Sequence, residues 1–209
     1  LQDERALQAG LPVNWRVSDV ELEASRRALL ELADPAGELW VYAYGSLMWD
    51  PGFHFAEVRL AELAGHRRRF SHRLMLGRGT PERPALTLSL ERGDGVCHGL
   101  VFRIDAQVAD VESAIVWRRE MLWDDYRPQL LSVGTPQGDV TAIVFCANES
   151  NPNHCGELPM AETAAIIASA SGVMGTNRQY LELMHDQLDN LGIEDEYVRE
   201  LAAHVRALP

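Results

Sequence analysis

The chain has 209 residues, 46% of them hydrophobic and 24% charged, which is an ordinary globular composition and enough length for a sizeable core. Its 31 acidic and 19 basic residues give a net charge of -12. That excludes a general role on nucleic acid or at an anionic membrane surface, and leaves room for an anionic small molecule in a local pocket. Three cysteines, Cys97, Cys146 and Cys155, are too few and too odd for a disulfide framework, and they fit a reducing, cytoplasmic setting. No apolar run approaches ~20 residues, so no transmembrane helix is expected.

Residues 1 to 17 read as an irregular lead-in, and their acidic, polar start LQDERALQAG is unlike a signal peptide. Ser18 and Glu21 form a capping box, which predicts a helix to about Ala33, stopped by Asp34-Pro35-Ala36-Gly37. The period then changes to two, with Leu39, Val41 and Ala43 alternating against Trp40, Tyr42 and Tyr44. Further strands are expected at 57–64, 67–76, 84–91 and 95–105. In the last, Val96, His98, Leu100, Phe102 and Ile104 share a face. A helix is expected over 107–123, and then strands 128–134 and 139–146 joined by a Pro-Gln-Gly-Asp turn. A polar loop, 147–157, leads into helices near 159–171, 177–191 and 194–207. A block of strands followed by helices argues for an α+β fold with a mostly antiparallel sheet, with enough strands to close into a small barrel. No linker divides the chain. It reads as one domain with an N-terminal extension carrying one helix (1–38), a strand core (39–146) and a helical tail (158–207).

The familiar nucleotide, hydrolase and metal signatures are missing: there is no GxGxxG after a strand, no GxxxxGK[ST], no GxSxG, no HExxH and no CxxC. Three stretches remain. In YAYGSLMWDP, residues 42 to 51, a strand stops at Gly45-Ser46. The pair is a plain turn, a backbone cradle for an acid with Tyr44 and Trp49 as walls, or the site of a serine nucleophile lacking an evident base. In GHRRRFSHR, residues 65 to 73, alternation puts Arg67 and Arg69 on one side and Arg68 and Phe70 on the other, as a solvated strand face would. Arg78, between Gly77 and Gly79, is placed to grip a carboxylate with both arms of its guanidinium. In WRREMLWDDYRP, residues 117 to 128, Glu120 lies among Trp117, Met121 and Trp123. Such surroundings raise a carboxyl's pKa toward the range of a general base, and Arg118 and Arg119 oppose that rise. Taken alone, Glu120 reads first as a helix-surface residue in i,i+4 ion pairs.

Taken in order, YGSLMWDPGF, GHRRRFSHR, RGTPERPALTLSL, the strand Cys97 to Phe102, WRREML with DYRP, and SGVMGTNRQYLELMHDQLDNLGIEDEYV resemble a ChaC-type γ-glutamylcyclotransferase over about residues 39 to 200. The resemblance implies a small mixed β-barrel with helices around it. It also implies cleavage of glutathione to 5-oxoproline and cysteinylglycine, without metal or cofactor. On this sequence it places a substrate loop at Tyr44, Gly45, Ser46 and Leu47 and a catalytic glutamate at Glu120, with Met48 where isoleucine is common. Arg78 is then a second carboxylate ligand, and Tyr126 a group that orients the base or the carbonyl. The chemistry is consistent with these residues: the substrate's own α-amine attacks its γ-carbonyl, so no enzymic nucleophile is needed, and one carboxylate can move the protons. Two rival readings stay open. One is a cyclotransferase for other γ-glutamyl amines, including a γ-glutamyl-protected antibiotic precursor. The other is a non-catalytic regulator of cation transport that binds a γ-glutamyl ligand.

Overall fold

The lead-in is not irregular. In a computed structural model, which describes every residue except 1, 9, 11, 13, 14 and 34–37, a short helix α1 spans Gln2–Gln8. Its glutamine, glutamate, arginine, alanine and leucine are strong helix formers, but no capping residue announces it, so 1–38 holds two helices rather than one. The second, α2 (Asp19–Leu30), starts as its sequence requires. Ser18 Oγ accepts the Glu21 amide at 3.3 Å, and the Glu21 carboxylate accepts the Ser18 amide at 3.1 Å. The stop expected at 34–37 lies outside the described residues.

The strands follow: β1 (Leu39–Ala43), β2 (Glu57–Leu74) and β3 (Ala85–Ile104). The four short strands expected over 57–105 are two long ones. Gly65 and Gly95, with φ of 71° and 113°, bend β2 and β3 without ending them. The residues expected to share a face, Val96, His98, Leu100, Phe102 and Ile104, are unevenly buried. Val96 and His98 are exposed, whereas Gly99–Phe102 is buried on both faces, as suits a strand between two neighbours. After α3 (Ala109–Glu120) come β4 (Tyr126–Val133) and β5 (Val140–Ala147), then α4 (Met160–Ser169). A two-residue ribbon, β6 (Ser171–Gly172) and β7 (Gly175–Thr176), precedes α5 (Asn177–Leu191) and α6 (Glu196–Arg206).

The chain divides into two compact units. One, Arg16–Arg68 with Leu90–Asn148, holds α2, α3 and most of the sheet. The five strands run in the order β2-β3-β1-β5-β4, with β1 antiparallel to β3 and parallel to β5. The sheet is therefore mixed, as expected, but its ladder does not close into a barrel. β2 and β4 are its edges, and among the described residues one antiparallel bridge joins them, Glu62 of β2 with Gly134 just after β4, its two hydrogen bonds both 2.9 Å. Pro128 within β4 has no N–H to extend such pairing. Inside this unit Trp117 of α3 packs edge-on against Phe145 of β5 and donates to Ser25 Oγ of α2 at 2.9 Å. Arg26, buried in α2, pairs with Glu23 and with Asp110 of α3, both at 2.8 Å, and donates to Ser113 Oγ, also at 2.8 Å. These contacts hold α3 along its length, at Asp110 and Ser113 near its start and at Trp117 near its end.

The other unit, Leu1–Trp15 with Arg69–Ser89 and Glu149–Pro209, holds α1 and the C-terminal helices. Asn177 is fully buried there, its amide side chain bonding both backbone groups of Leu86 at 2.7 and 2.8 Å. Thr176 and Gln179 cap α5 reciprocally, and Gly192 ends it in the left-handed region. Among the described residues no helix is long and apolar enough to cross a membrane.

Candidate active site

At Ala43 the chain leaves β1 and enters a single 3-10 turn, Ser46–Met48. The amide of Met48 donates to Gly45 O at 2.9 Å, and those of Trp49 and Asp50 to Ser46 O at 3.3 and 3.0 Å. The amides of Ser46 and Leu47, at the head of the turn, have no acceptor among the described residues. Buried groups hold the turn in place. Tyr44 Oη donates to Phe145 O at 2.8 Å, and Arg68 Nη1 donates to Tyr44 O at 2.7 Å and reaches Met48 Sδ at 3.7 Å. Arg68 Nη2 also bonds His98 O. The alternation read in GHRRRF is right, but its Arg68–Phe70 face is buried rather than solvated. Arg68 is a residue whose importance sequence reasoning missed.

Glu120 is the last residue of α3, and its side chain is 14% exposed. Burial pushes its carboxyl up from 4.5 to about 7, and neighbouring Arg119 pulls the other way. Arg119 joins the two halves of the site. Its Nη2 donates to Ser46 Oγ at 3.1 Å, its Nε lies 3.4 Å from Glu120 Oε1, and its Nη1 lies 3.6 Å from Asp50 Oδ2. Gly52 makes space for it: a Cβ there would lie 3.0 Å from Nη1, and the glycine's φ is +70°. A guanidinium cannot accept a proton, so Arg119 is no general base for Ser46 Oγ.

Tyr44, Gly45, Ser46, Leu47 and Glu120 thus lie in one unit, linked through Arg119. Tyr126 is buried in the same unit at the first position of β4, paired with Ala147, a placement that by itself ties it to neither Ser46 nor Glu120. Arg78 is in the other unit and is not an exposed, unengaged loop arginine. It is half-buried, with Nη1 donating to Thr176 O at 3.0 Å and the guanidinium over the Tyr180 ring at 5.6 Å. Arg119 was read from sequence only as a charge opposing the pKa rise of Glu120. The signal for more was the glycine of Asp50-Pro51-Gly52 just after the turn.

A sequence model of the ChaC-like protein family matches residues 39–208. The chain belongs to the ChaC-like family. This ChaC-like chain is 35% identical over 186 residues to a glutathione-specific gamma-glutamylcyclotransferase of Escherichia coli, covering 88% of the chain and 80% of that protein. It is 36% identical over 179 residues to gamma-glutamylcyclotransferase 2-1 of Arabidopsis thaliana, covering 80% and 82% of the two. Its fold matches the crystal structure of a yeast gamma-glutamyl cyclotransferase specific to glutathione with a TM-score of 0.75 at 22% identity, over 81% of the chain and 96% of the yeast protein.

Proposed function

We propose that this chain cleaves glutathione to 5-oxoproline and cysteinylglycine, with Glu120 as the proton-transfer group. The observation that carries the reading is a buried carboxyl, held near neutrality, linked through one arginine to a turn whose first amides are unused. The identity to the Escherichia coli enzyme supports the choice of substrate.

The α-carboxylate of the γ-glutamyl group rests on the amides of Ser46 and Leu47. The folded-back substrate places its α-amine on its own γ-carbonyl carbon. A bond forms from nitrogen to that carbon, and the amide C–N bond to the leaving dipeptide breaks. Of the three protons on the α-ammonium, one stays on the ring nitrogen and two end on the departing amine, which leaves as an ammonium. Glu120 takes the first proton as a base and returns it as an acid, which is the use of a carboxyl poised near the working pH. Tyr126 is proposed to orient this carboxyl or the reacting carbonyl. Arg78, which donates to Thr176 O and lies over the Tyr180 ring, is left without a role in this reading. We also read the chain as one functional domain in the cytoplasm, its mixed sheet acting as a partly closed barrel around the bridge at Glu62.

The test is incubation with glutathione, and separately with γ-glutamyl amino acids, followed by quantitation of 5-oxoproline and the released amine. Equimolar 5-oxoproline and cysteinylglycine are expected from glutathione. Release only from the other γ-glutamyl amines would replace the substrate, and binding of glutathione without turnover would favour a regulator.

A further inference from the structure

We propose that Arg119 selects substrates by their α-carboxylate, acting as a counter-ion shared between that carboxylate and Glu120. The inference rests on the reaction proposed above and adds the group that reads the γ-glutamyl end of the substrate.

The geometry is local to one unit. Arg119 Nη2 is 3.1 Å from Ser46 Oγ, on the turn that offers the unused amides, and Nε is 3.4 Å from Glu120 Oε1. A guanidinium carries five N–H donors, and among the described residues Arg119 makes one hydrogen bond with them, to Ser46. Its approach to Asp50 is 3.6 Å, beyond hydrogen-bonding range, and the Asp50 side chain is 71% exposed, so water screens that pair. The planar fork therefore keeps donors for a second carboxylate beside the one at Glu120.

The reaction supplies a reason for such a cation. Substrate binding brings a carboxylate to the Ser46 turn while Glu120 must be ionised to act as a base. Two anions meeting in a partly dry site repel, and a guanidinium between them converts the repulsion into two attractions. A substrate whose α-carboxyl is an amide brings no charge and loses this benefit. Because Arg119 reaches both Ser46 on the proposed carboxylate turn and Glu120, it reads the γ-glutamyl end of the substrate. Gly52 holds the space for it, since a Cβ there would crowd Nη1.

The experiment compares glutathione with the same tripeptide carrying its γ-glutamyl α-carboxyl as a primary amide, reading cysteinylglycine release in both cases. Wild type is expected to favour glutathione by about ten- to hundredfold in kcat/KM, the scale of a hydrogen bond to a charged group. Arg119→Gln is expected to lose activity on glutathione about tenfold more than on the amide, chiefly through KM, so that the preference collapses. Arg119→Lys, which keeps charge without the fork, should fall between. Gly52→Ala, which crowds the guanidinium while leaving the Ser46 and Glu120 side chains unaltered, should move the preference in the same direction. If Arg119→Gln and Gly52→Ala turn over both substrates with the wild-type preference intact, the inference is wrong while the proposed reaction stands. If wild type releases no cysteinylglycine from glutathione, both are wrong.

Discussion

Glu120→Gln should stabilise the protein at alkaline pH. In the folded chain burial raises the Glu120 carboxyl from 4.5 to about 7, whereas in the unfolded chain it titrates near its ordinary value. Below about pH 4.5 the carboxyl is protonated in both states and costs nothing. Between there and about 7 only the unfolded state ionises, so stability falls as pH rises. Above about 7 both states are charged and the loss is complete. The gap between the two values corresponds to roughly 3 kcal/mol at about 1.4 kcal/mol per pH unit. Glutamine mimics the protonated carboxyl and carries no such penalty. Denaturant unfolding of both proteins across this range should therefore show equal stability near about pH 4 and a gap that widens to roughly 3 kcal/mol at about pH 8. For a chain of this size that gap is about 6–12 °C in Tm. A difference that does not change with pH, or a less stable Glu120→Gln at pH 8, would show that the Glu120 carboxyl is not held near neutrality.

The turn and its support give further expected outcomes. Ser46→Ala leaves the Ser46 amide in place and removes one hydroxyl, so it should lower kcat/KM for glutathione by about ten- to hundredfold at most, with no covalent adduct in intact-mass spectra during turnover. Gly45→Val sets a branched Cβ at the head of the same turn and should abolish substrate binding, measurable by calorimetry with glutathione. Gly99→Ala should destabilise the fold by about 1–3 kcal/mol or more, because a Cβ there would lie 2.2 Å from Ala43 O, where β3 passes the end of β1. Thermal unfolding measures it, and an unchanged Tm would mean that β1 has freedom the structure does not show.

Local signals in the sequence were legible and long-range ones were not. Ser18 with Glu21 gave a helix start because both partners lie within one turn. The alternation from Leu39 to Tyr44 gave β1, and the polar 147–157 gave the loop before the C-terminal helices. The breaks expected at 65–66 and 92–94, each holding a glycine, were wrong, since a glycine within an alternating run marks a bend as readily as an end. Burial of Arg68 was hidden because its acceptors, Tyr44 O and His98 O, are 24 and 30 residues away. The link between Arg119 and Ser46 spans 73 residues, so no spacing pattern contains it. Glu120 and the Tyr44–Leu47 stretch were found through family resemblance, because neither pattern alone distinguishes a site from a helix surface or a turn.

The most direct test of the central claim is steady-state release of 5-oxoproline from glutathione by wild type and Glu120→Gln, assayed side by side at about pH 8, where Glu120 is ionised. The account predicts a loss of about 10²–10⁴-fold in kcat for Glu120→Gln, the usual scale of general acid–base catalysis, in a protein that is folded and at least as stable as wild type. Turnover by Glu120→Gln near the wild-type rate would contradict it and move the proton transfer to another group.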